Sequence, residues 1–211
     1  MEDGIRTAAS IIAGRDGNDG LELLVIERSE ASRFLPGYAV FPGGAVEPGD
    51  AELANRWWGS DREAGRACAV RELVEETNLG LTAEGIEPAD SLEHVDGCPP
   101  EMHRLVEIAR WVAPERVPVR FDARYFAIRA APDIEARADG AEVTRAWWAS
   151  PKSLLVGWEA GTVRLYWPTF FTMTHLTACR AVDDLLALRI DTREPSQDEM
   201  DRMPRATFWQ D

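Results

Sequence analysis

The stretch Arg71-Glu72-Leu73-Val74-Glu75-Glu76 concentrates more chemical potential than any other part of this chain. On a helix turning by about 100° per residue, Glu72, Glu75 and Glu76 stand at positions i, i+3 and i+4, and their carboxylates converge on one patch. Like charges at that spacing weaken a bare helix by about a few tenths of a kcal/mol per pair. Spacing alone leaves two readings open, a solvated acidic face or a site for a hard cation. Mg²⁺ and Mn²⁺ prefer oxygen donors, and Mg²⁺ is commonly held by a few carboxylates plus substrate phosphates. Arg71 reads either as an orienting partner for these carboxylates or as one half of a surface ion pair.

Further candidates lie upstream. Gly43 and Gly44, in Phe41-Pro42-Gly43-Gly44, form a turn and also let backbone approach a metal or phosphate closely. Arg28 and Arg33 carry guanidinium groups that match phosphate geometry, although Glu27 and Glu30 stand near enough in sequence to pair with them. His94, His103 and His175 show no ligand spacing. Cys68, Cys98 and Cys179 are too few and too scattered for a disulfide framework or a Cys-x-x-Cys zinc site, so reduced thiols are expected.

Composition narrows the class. The 211 residues suit one ordinary domain, and 45% hydrophobic with 28% charged residues is a globular balance. The formal net charge of −14 argues against a general nucleic-acid binder, which needs Lys and Arg to neutralise phosphates. A phosphorylated small molecule remains a suitable substrate if divalent cations screen the repulsion. The opening residues lack a signal-peptide pattern, and no apolar run approaches the roughly 20 residues of a membrane span. Trp209-Gln210-Asp211 is no Ser-Lys-Leu peroxisomal address. A cytoplasmic location without a membrane partner is the expectation.

The elements that must hold these residues read as an α+β fold with a mixed sheet, because strands and helices do not alternate regularly. Ile5 to Ala13 and Leu21 to Arg28 are apolar strands around a turn cluster, Gly14 to Gly20. Ala39 to Phe41 is a third short run. Asp61 to Leu79 has helical periodicity, with Ala67, Val70, Leu73, Val74 and Thr77 on one face and Asn78 placed as a left-handed cap. Ile108 to Val112 and Phe121 to Ala130, separated by Pro114 and Pro118, read as strands, as does Val143 to Trp148. Pro151 starts a short helix, and Pro168 a longer one running to about Leu188. One domain over 1–190 and a polar tail over 191–211 are expected.

The whole arrangement resembles the Nudix box, Gly-x5-Glu-x7-Arg-Glu-U-x-Glu-Glu-x-Gly-U, with U a bulky aliphatic residue. Arg71, Glu72, Leu73, Glu75, Glu76 and Leu79 fit its second half, with Asn78 in place of the usual glycine. The first half departs from the pattern. Gly44 leads after five residues to Asp50 rather than Glu, and the gap from there to Arg71 is far longer than seven. Glu63 has the x7 spacing but no glycine six residues before it. An insertion over about 51–61 accounts for this, leaving open whether Asp50 or Glu63 stands for the first glutamate. Its Trp57-Trp58 pair is expected to pack over the core. Arg28-Ser29-x3-Arg33-x3-Gly37-x3-Phe41-Pro42-Gly43-Gly44 is similar to the signature before the box in coenzyme A diphosphatases of the peroxisomal type and their bacterial relatives.

The resemblance implies a Nudix-type α/β/α sandwich that hydrolyses a diphosphate linked to another moiety, with Mg²⁺ or Mn²⁺. It implies Glu72, Glu75, Glu76 and Gly44 at the metal, and Glu72, Glu76, Arg71 and Glu142 in catalysis. Glu142 precedes a later strand, where many Nudix enzymes place an additional acid. Arg28, Arg33 and Gly43 are the implied substrate contacts. The substrate is a small-molecule nucleotide, coenzyme A or an acyl derivative first, with ADP-ribose, NADH or a nucleotide sugar as alternatives. A non-catalytic Nudix nucleotide-binding module is the alternative of another class, and a homodimer is compatible with the resemblance.

Overall fold

The computed structural model describes residues 4–115, 120–196 and 198–199. Pro118, read above as a strand breaker, lies outside the described residues, as do residues 1–3 and most of the polar tail. The chain opens with β1 (Arg6–Gly17) and β2 (Gly20–Arg28), then β3 (Tyr38–Val40) and β4 (Gly43–Ala45). Helix α1 (Pro48–Trp58), a single 3-10 turn and helix α2 (Ala64–Thr77) follow. Next come β5 (Leu79–Leu81), β6 (Ile86–Pro88) and α3 (Leu92–Gly97). β7 (Val106–Val112), β8 (Phe121–Arg129) and β9 (Val143–Ala149) complete the main strands. α4 (Pro151–Glu159), β10 (Arg164–Leu165), α5 (Trp167–Leu176) and α6 (Val182–Ala187) close the described fold.

The sheet is mixed, as expected, in the order β10-β3-β2-β1-β8-β7, with β4 added to β1 and β9 to β2. β1 runs parallel to β8 and antiparallel to β2 and β4. Along β1 the partner changes: Gly14 to Gly17 pair with β2, whereas Ala8 to Ser10 pair with β4. β2 therefore splays away from the start of β1, and the opening between them is where the site forms.

Alternation along the strands feeds two cores, one on each face. Ile12, Tyr125 and Ala127 join the cluster packed by α4, α5 and α6; Ala9, Ile11, Ala13, Phe126 and Ile128 join the one covered by α2 and α3. The five apolar positions expected on the helix are all buried, and Asn78 ends it at φ 54°, ψ 34° in the left-handed region. Trp57 and Trp58 pack on the second core, as expected.

Three expectations need correction. The Gly14 to Gly20 cluster is mostly strand: pairing continues to Gly17↔Gly20, helped by the Arg15–Glu22 ion pair at 2.8 Å, and the turn shrinks to Asn18 and Asp19. The insertion expected over about 51–61 is helix α1, which starts earlier, at Pro48, and is capped where the Asp50 carboxylate accepts from the Glu47 N–H. The helix expected from Pro168 to Leu188 is two helices. The chain breaks after α5 because the Asp184 carboxylate takes the N–H groups of Arg180 and Ala181, and Asp16 takes that of Val182.

Candidate active site

Arg71 sits at the hub of the acidic cluster. Its Nε and Nη2 donate to the two Asp50 carboxylate oxygens at 2.8 and 3.1 Å, and its Nη1 donates to Glu72 and Glu75, each at 2.8 Å. Nη2 also reaches the Ala45 carbonyl at 3.3 Å. Asp50 is fully buried, so this bidentate pair compensates a carboxylate that would otherwise be stranded. The paired carboxylates hold the guanidinium strongly charged although burial opposes it. Glu63 pairs instead with Arg66. Geometrically, Asp50 is the residue that meets Arg71.

Glu76 points the other way, into the sheet. Its carboxylate accepts from the Gly43 N–H at 2.8 Å and from Arg28 Nη1 at 3.5 Å, with the side chain only 4% exposed. Burial, with the negative charge of Glu72, pushes its pKa up to about 8, against the opposing pull of the Gly43 N–H and Arg28. Burial also raises Glu72. The three glutamates stand on one helix, but their carboxylates do not converge on one patch as the spacing predicts: Glu72 and Glu75 turn to Arg71, Glu76 turns to Gly43, and of the three only Glu75, 51% exposed, stands in water. Glu142 is exposed and held by its main chain, its carbonyl accepting from Ser29 N and its N–H donating to Asp139. From there its charge adds to the load on Glu76.

The two glycines allow a close approach, and the structure shows to what. A Cβ on Gly44 would fall 2.2 Å from Glu72 Oε1, and one on Gly43 would fall 2.4 Å from the Ala9 carbonyl oxygen. At Gly43 β4 lies against the main chain of β1, and at Gly44 against the Glu72 carboxylate of α2. Among the described residues, no three His, Cys, Asp or Glu side chains converge closely enough to hold a metal ion. Arg71 draws Glu72 and Glu75 onto itself, while Glu76 is turned onto Gly43.

Gly43, Gly44 and Ala45 also wall a cavity of about 250 Å³. Phe34, Phe41, Trp111, Phe121, Tyr125 and Tyr166 supply most of its aromatic surface, and Arg28 reaches it while bonded to the Phe34 carbonyl at 3.0 Å. Arg33 is exposed and does not line this cavity. The aromatic lining was not singled out in the sequence; its one legible signal is the alternation Phe121, Ala123, Tyr125 on one side of β8.

Comparison with known proteins places this geometry. The NUDIX domain family model matches residues 4–166. A NUDIX hydrolase from Alicyclobacillus acidocaldarius superposes with a TM-score of 0.79 at 32% identity, covering 91% of this chain and all of that one. An Ap4A hydrolase of Caenorhabditis elegans, solved as a binary complex, shares the fold at a TM-score of 0.51 and 15% identity, over 82% of this chain and 96% of that one. A Caenorhabditis elegans protein named nudix hydrolase 7 is 25% identical over 197 residues, 84% of this chain. The chain spans 62% of that relative's length. With the NUDIX model covering most of its length and a 32% identical hydrolase matched throughout, the chain belongs to the Nudix hydrolase family.

Proposed function

We propose that this protein hydrolyses the diphosphate bond of a nucleoside diphosphate linked to another moiety, with coenzyme A or acyl-coenzyme A as first substrate. The observation that carries the reading is the Gly43–Glu76–Arg28 contact: a buried carboxylate meets a backbone N–H and a guanidinium at the wall of an aromatic cavity. Residues 1–190 act as one domain in this reading.

The donor set fits a hard divalent cation. All donors are oxygens, three carboxylates and a carbonyl, and the mutual load of Glu72, Glu76 and Glu142 is a surplus of negative charge that a dication would relieve. Glu72, Glu75 and Glu76, with the Gly44 carbonyl, would hold Mg²⁺ or Mn²⁺. When bound, the metal neutralises charge on the phosphates and makes water more acidic.

This chain's own residues do the rest. Arg71 keeps Glu72 and Glu75 oriented and charged, and Asp50 in turn fixes Arg71, the place the family's first glutamate would take. Glu72 or Glu76 takes the proton from the attacking water, and Glu142 supplies a further acid at the mouth of the site. Arg28 and the Gly43 backbone position the phosphate end, and the apolar cavity excludes water from the linked moiety. Arg33, exposed on the segment leading into β3, is the candidate for the 3′-phosphate of coenzyme A.

Purified protein is assayed with Mg²⁺ and Mn²⁺ on coenzyme A, acyl-coenzyme A, dephospho-coenzyme A, ADP-ribose, NADH and nucleotide sugars. Glu76→Gln is expected to lower turnover by about a hundredfold or more, given that lost transition-state electrostatics commonly cost about 2.7–4 kcal/mol. Arg33→Ala is expected to weaken cleavage of coenzyme A more than that of dephospho-coenzyme A, by about 1.5–3 kcal/mol for a charge-assisted contact. A wild type that prefers ADP-ribose refutes the coenzyme A assignment. One that cleaves nothing refutes the hydrolase reading.

A further inference from the structure

The wall of the cavity is mostly apolar, and apart from Arg28 its polar groups are mainly hydroxyls rather than charges. Among the described residues Arg28 is the one charged group lining it, and that guanidinium is already engaged by the Phe34 carbonyl at 3.0 Å and Glu76 at 3.5 Å. A second anionic group entering the cavity would lose its water and meet no further cation, which is unfavourable. The phosphates therefore stay on the Glu76 side of β4, and what fills the cavity is uncharged.

Ser10, Tyr166 and Thr169 also line the cavity, but the deeply buried phenol of Tyr125 stands on the wall that β8 supplies. Tyr125 lies on β8, 7% exposed, with its ring edge-on to Phe41 at 6.0 Å and 88°. Phe121 and Ala123, four and two residues before it, line the same wall. Among the described residues the Tyr125 hydroxyl makes no hydrogen bond. It is not sealed away either: the one fully enclosed side-chain polar atom without a partner among them is Trp148 Nε1. Tyr125 lines the cavity. Burial, with Tyr166 nearby, pushes the phenol pKa well up, so the group stays protonated and able to donate. A phenylalanine would fill the same wall without an unsatisfied hydroxyl, so packing gives no reason for the oxygen.

We propose that Tyr125 is the specificity-determining donor of this cavity, its hydroxyl hydrogen-bonding an acceptor on the uncharged moiety joined to the diphosphate. This rests on the reading that the diphosphate sits at Gly43 and Glu76. Two moieties share the required chemistry, an uncharged body bearing an acceptor: a nucleobase with a ring nitrogen, and an amide-containing arm such as pantetheine.

The test is binding rather than turnover. Adenosine and pantetheine are titrated separately into the metal-free full chain, read by tryptophan fluorescence because Trp111 and Trp167 line the cavity. One of the two is expected to bind wild type saturably. Tyr125→Phe is expected to weaken that binding by about three- to tenfold, the range of one neutral hydrogen bond. Its melting temperature is expected to stay equal or rise, because an unpartnered hydroxyl has been removed. Ala123→Leu, which adds carbon to the same wall, is expected to abolish the signal. The proposal is overturned if neither probe binds, if Tyr125→Phe binds as tightly as wild type, or if weaker binding comes with a lower melting temperature, which marks a structural hydroxyl. Failure of the hydrolysis panel with a positive binding result would refute the proposed reaction and leave Tyr125 as a donor in the cavity.

Discussion

Glu76→Gln separates the charge of Glu76 from its shape, and the metal-free protein shows what that charge costs. In the folded chain the carboxyl is buried against Gly43 and loaded by Glu72 and Glu142, with a pKa pushed up to about 8 from an ordinary 4.5. A folded-state pKa above the unfolded one means that folding takes up a proton between those values. The associated stability is fully present below pH 4.5 and is lost as pH rises through about 8. At about 1.4 kcal/mol per pH unit across that interval, the ceiling is roughly 5 kcal/mol. For a chain of this size that corresponds to a melting temperature falling by about 10–20 °C at most. Glutamine keeps the acceptor for the Gly43 N–H and cannot ionise, so its stability lacks this pH dependence. Thermal unfolding in EDTA from pH 5 to pH 9 is the assay. The two proteins should be close at pH 5, and the variant should be the more stable at pH 9. Added Mg²⁺ should recover wild type at high pH and leave the variant nearly unchanged. Parallel curves in EDTA would show that Glu76 is ionised throughout, and the reasoning from burial would be refuted.

Three further outcomes follow from the same geometry. Arg71→Ala leaves the fully buried Asp50 carboxylate without its bidentate partner and should cost about 3–5 kcal/mol in urea unfolding, with Arg71→Ala/Asp50→Ala recovering part of it. Gly44→Ala puts a Cβ 2.2 Å from Glu72 Oε1, so that carboxylate must move; a displacement of about 1 Å should lower turnover about a hundredfold while the melting temperature changes little. Asn78→Ala keeps a side chain at φ 54° but loses the hydrogen bond to the Arg137 carbonyl, and should destabilise by about 1–2 kcal/mol, whereas Asn78→Gly should cost less; both are read by thermal melts.

Local patterns proved the most legible. The burial of Val70, Leu73 and Val74 and the cap at Asn78 depend on helical periodicity and on the tolerance of Asn for a left-handed backbone, both carried by neighbouring residues. Long-range contacts were not. Spacing put Glu72, Glu75 and Glu76 together but could not show that β4 would cover two of them, because that depends on pairing between Ala8 to Ser10 and Gly43 to Ala45, some thirty-five residues away. The rivalry between Asp50 and Glu63 was undecidable from counting, since α1 leaves and returns between Asp50 and Arg71. The break between α5 and α6 depends on Asp16 and Asp184 capturing backbone N–H groups, and a helix-period pattern does not register that competition. The cavity draws on β1, β4, β7, β8 and α5, and no single segment contains enough of it to be read.

The glycines tie these levels together. Sequence reasoning assigned Gly43 and Gly44 to close approach, with a metal or phosphate as the visitor. In the folded chain the visitors are the protein's own groups, the Ala9 carbonyl on one side and Glu72 on the other. The two glycines let β4 lie against the Ala9 carbonyl and the Glu72 carboxylate, and the Gly43 N–H meets Glu76 directly at 2.8 Å. The same three residues form one wall of the aromatic cavity. Acidic cluster and cavity are therefore held in register by main chain rather than by rotatable side chains, which is the placement a site needs if phosphates on one side and an uncharged group on the other must both fit. Crowding that wall should disturb both sides together: in Gly44→Ala the affinity for a neutral probe in the cavity should fall along with turnover, and a variant that loses turnover but binds the probe like wild type would show that the two sides are not coupled through β4.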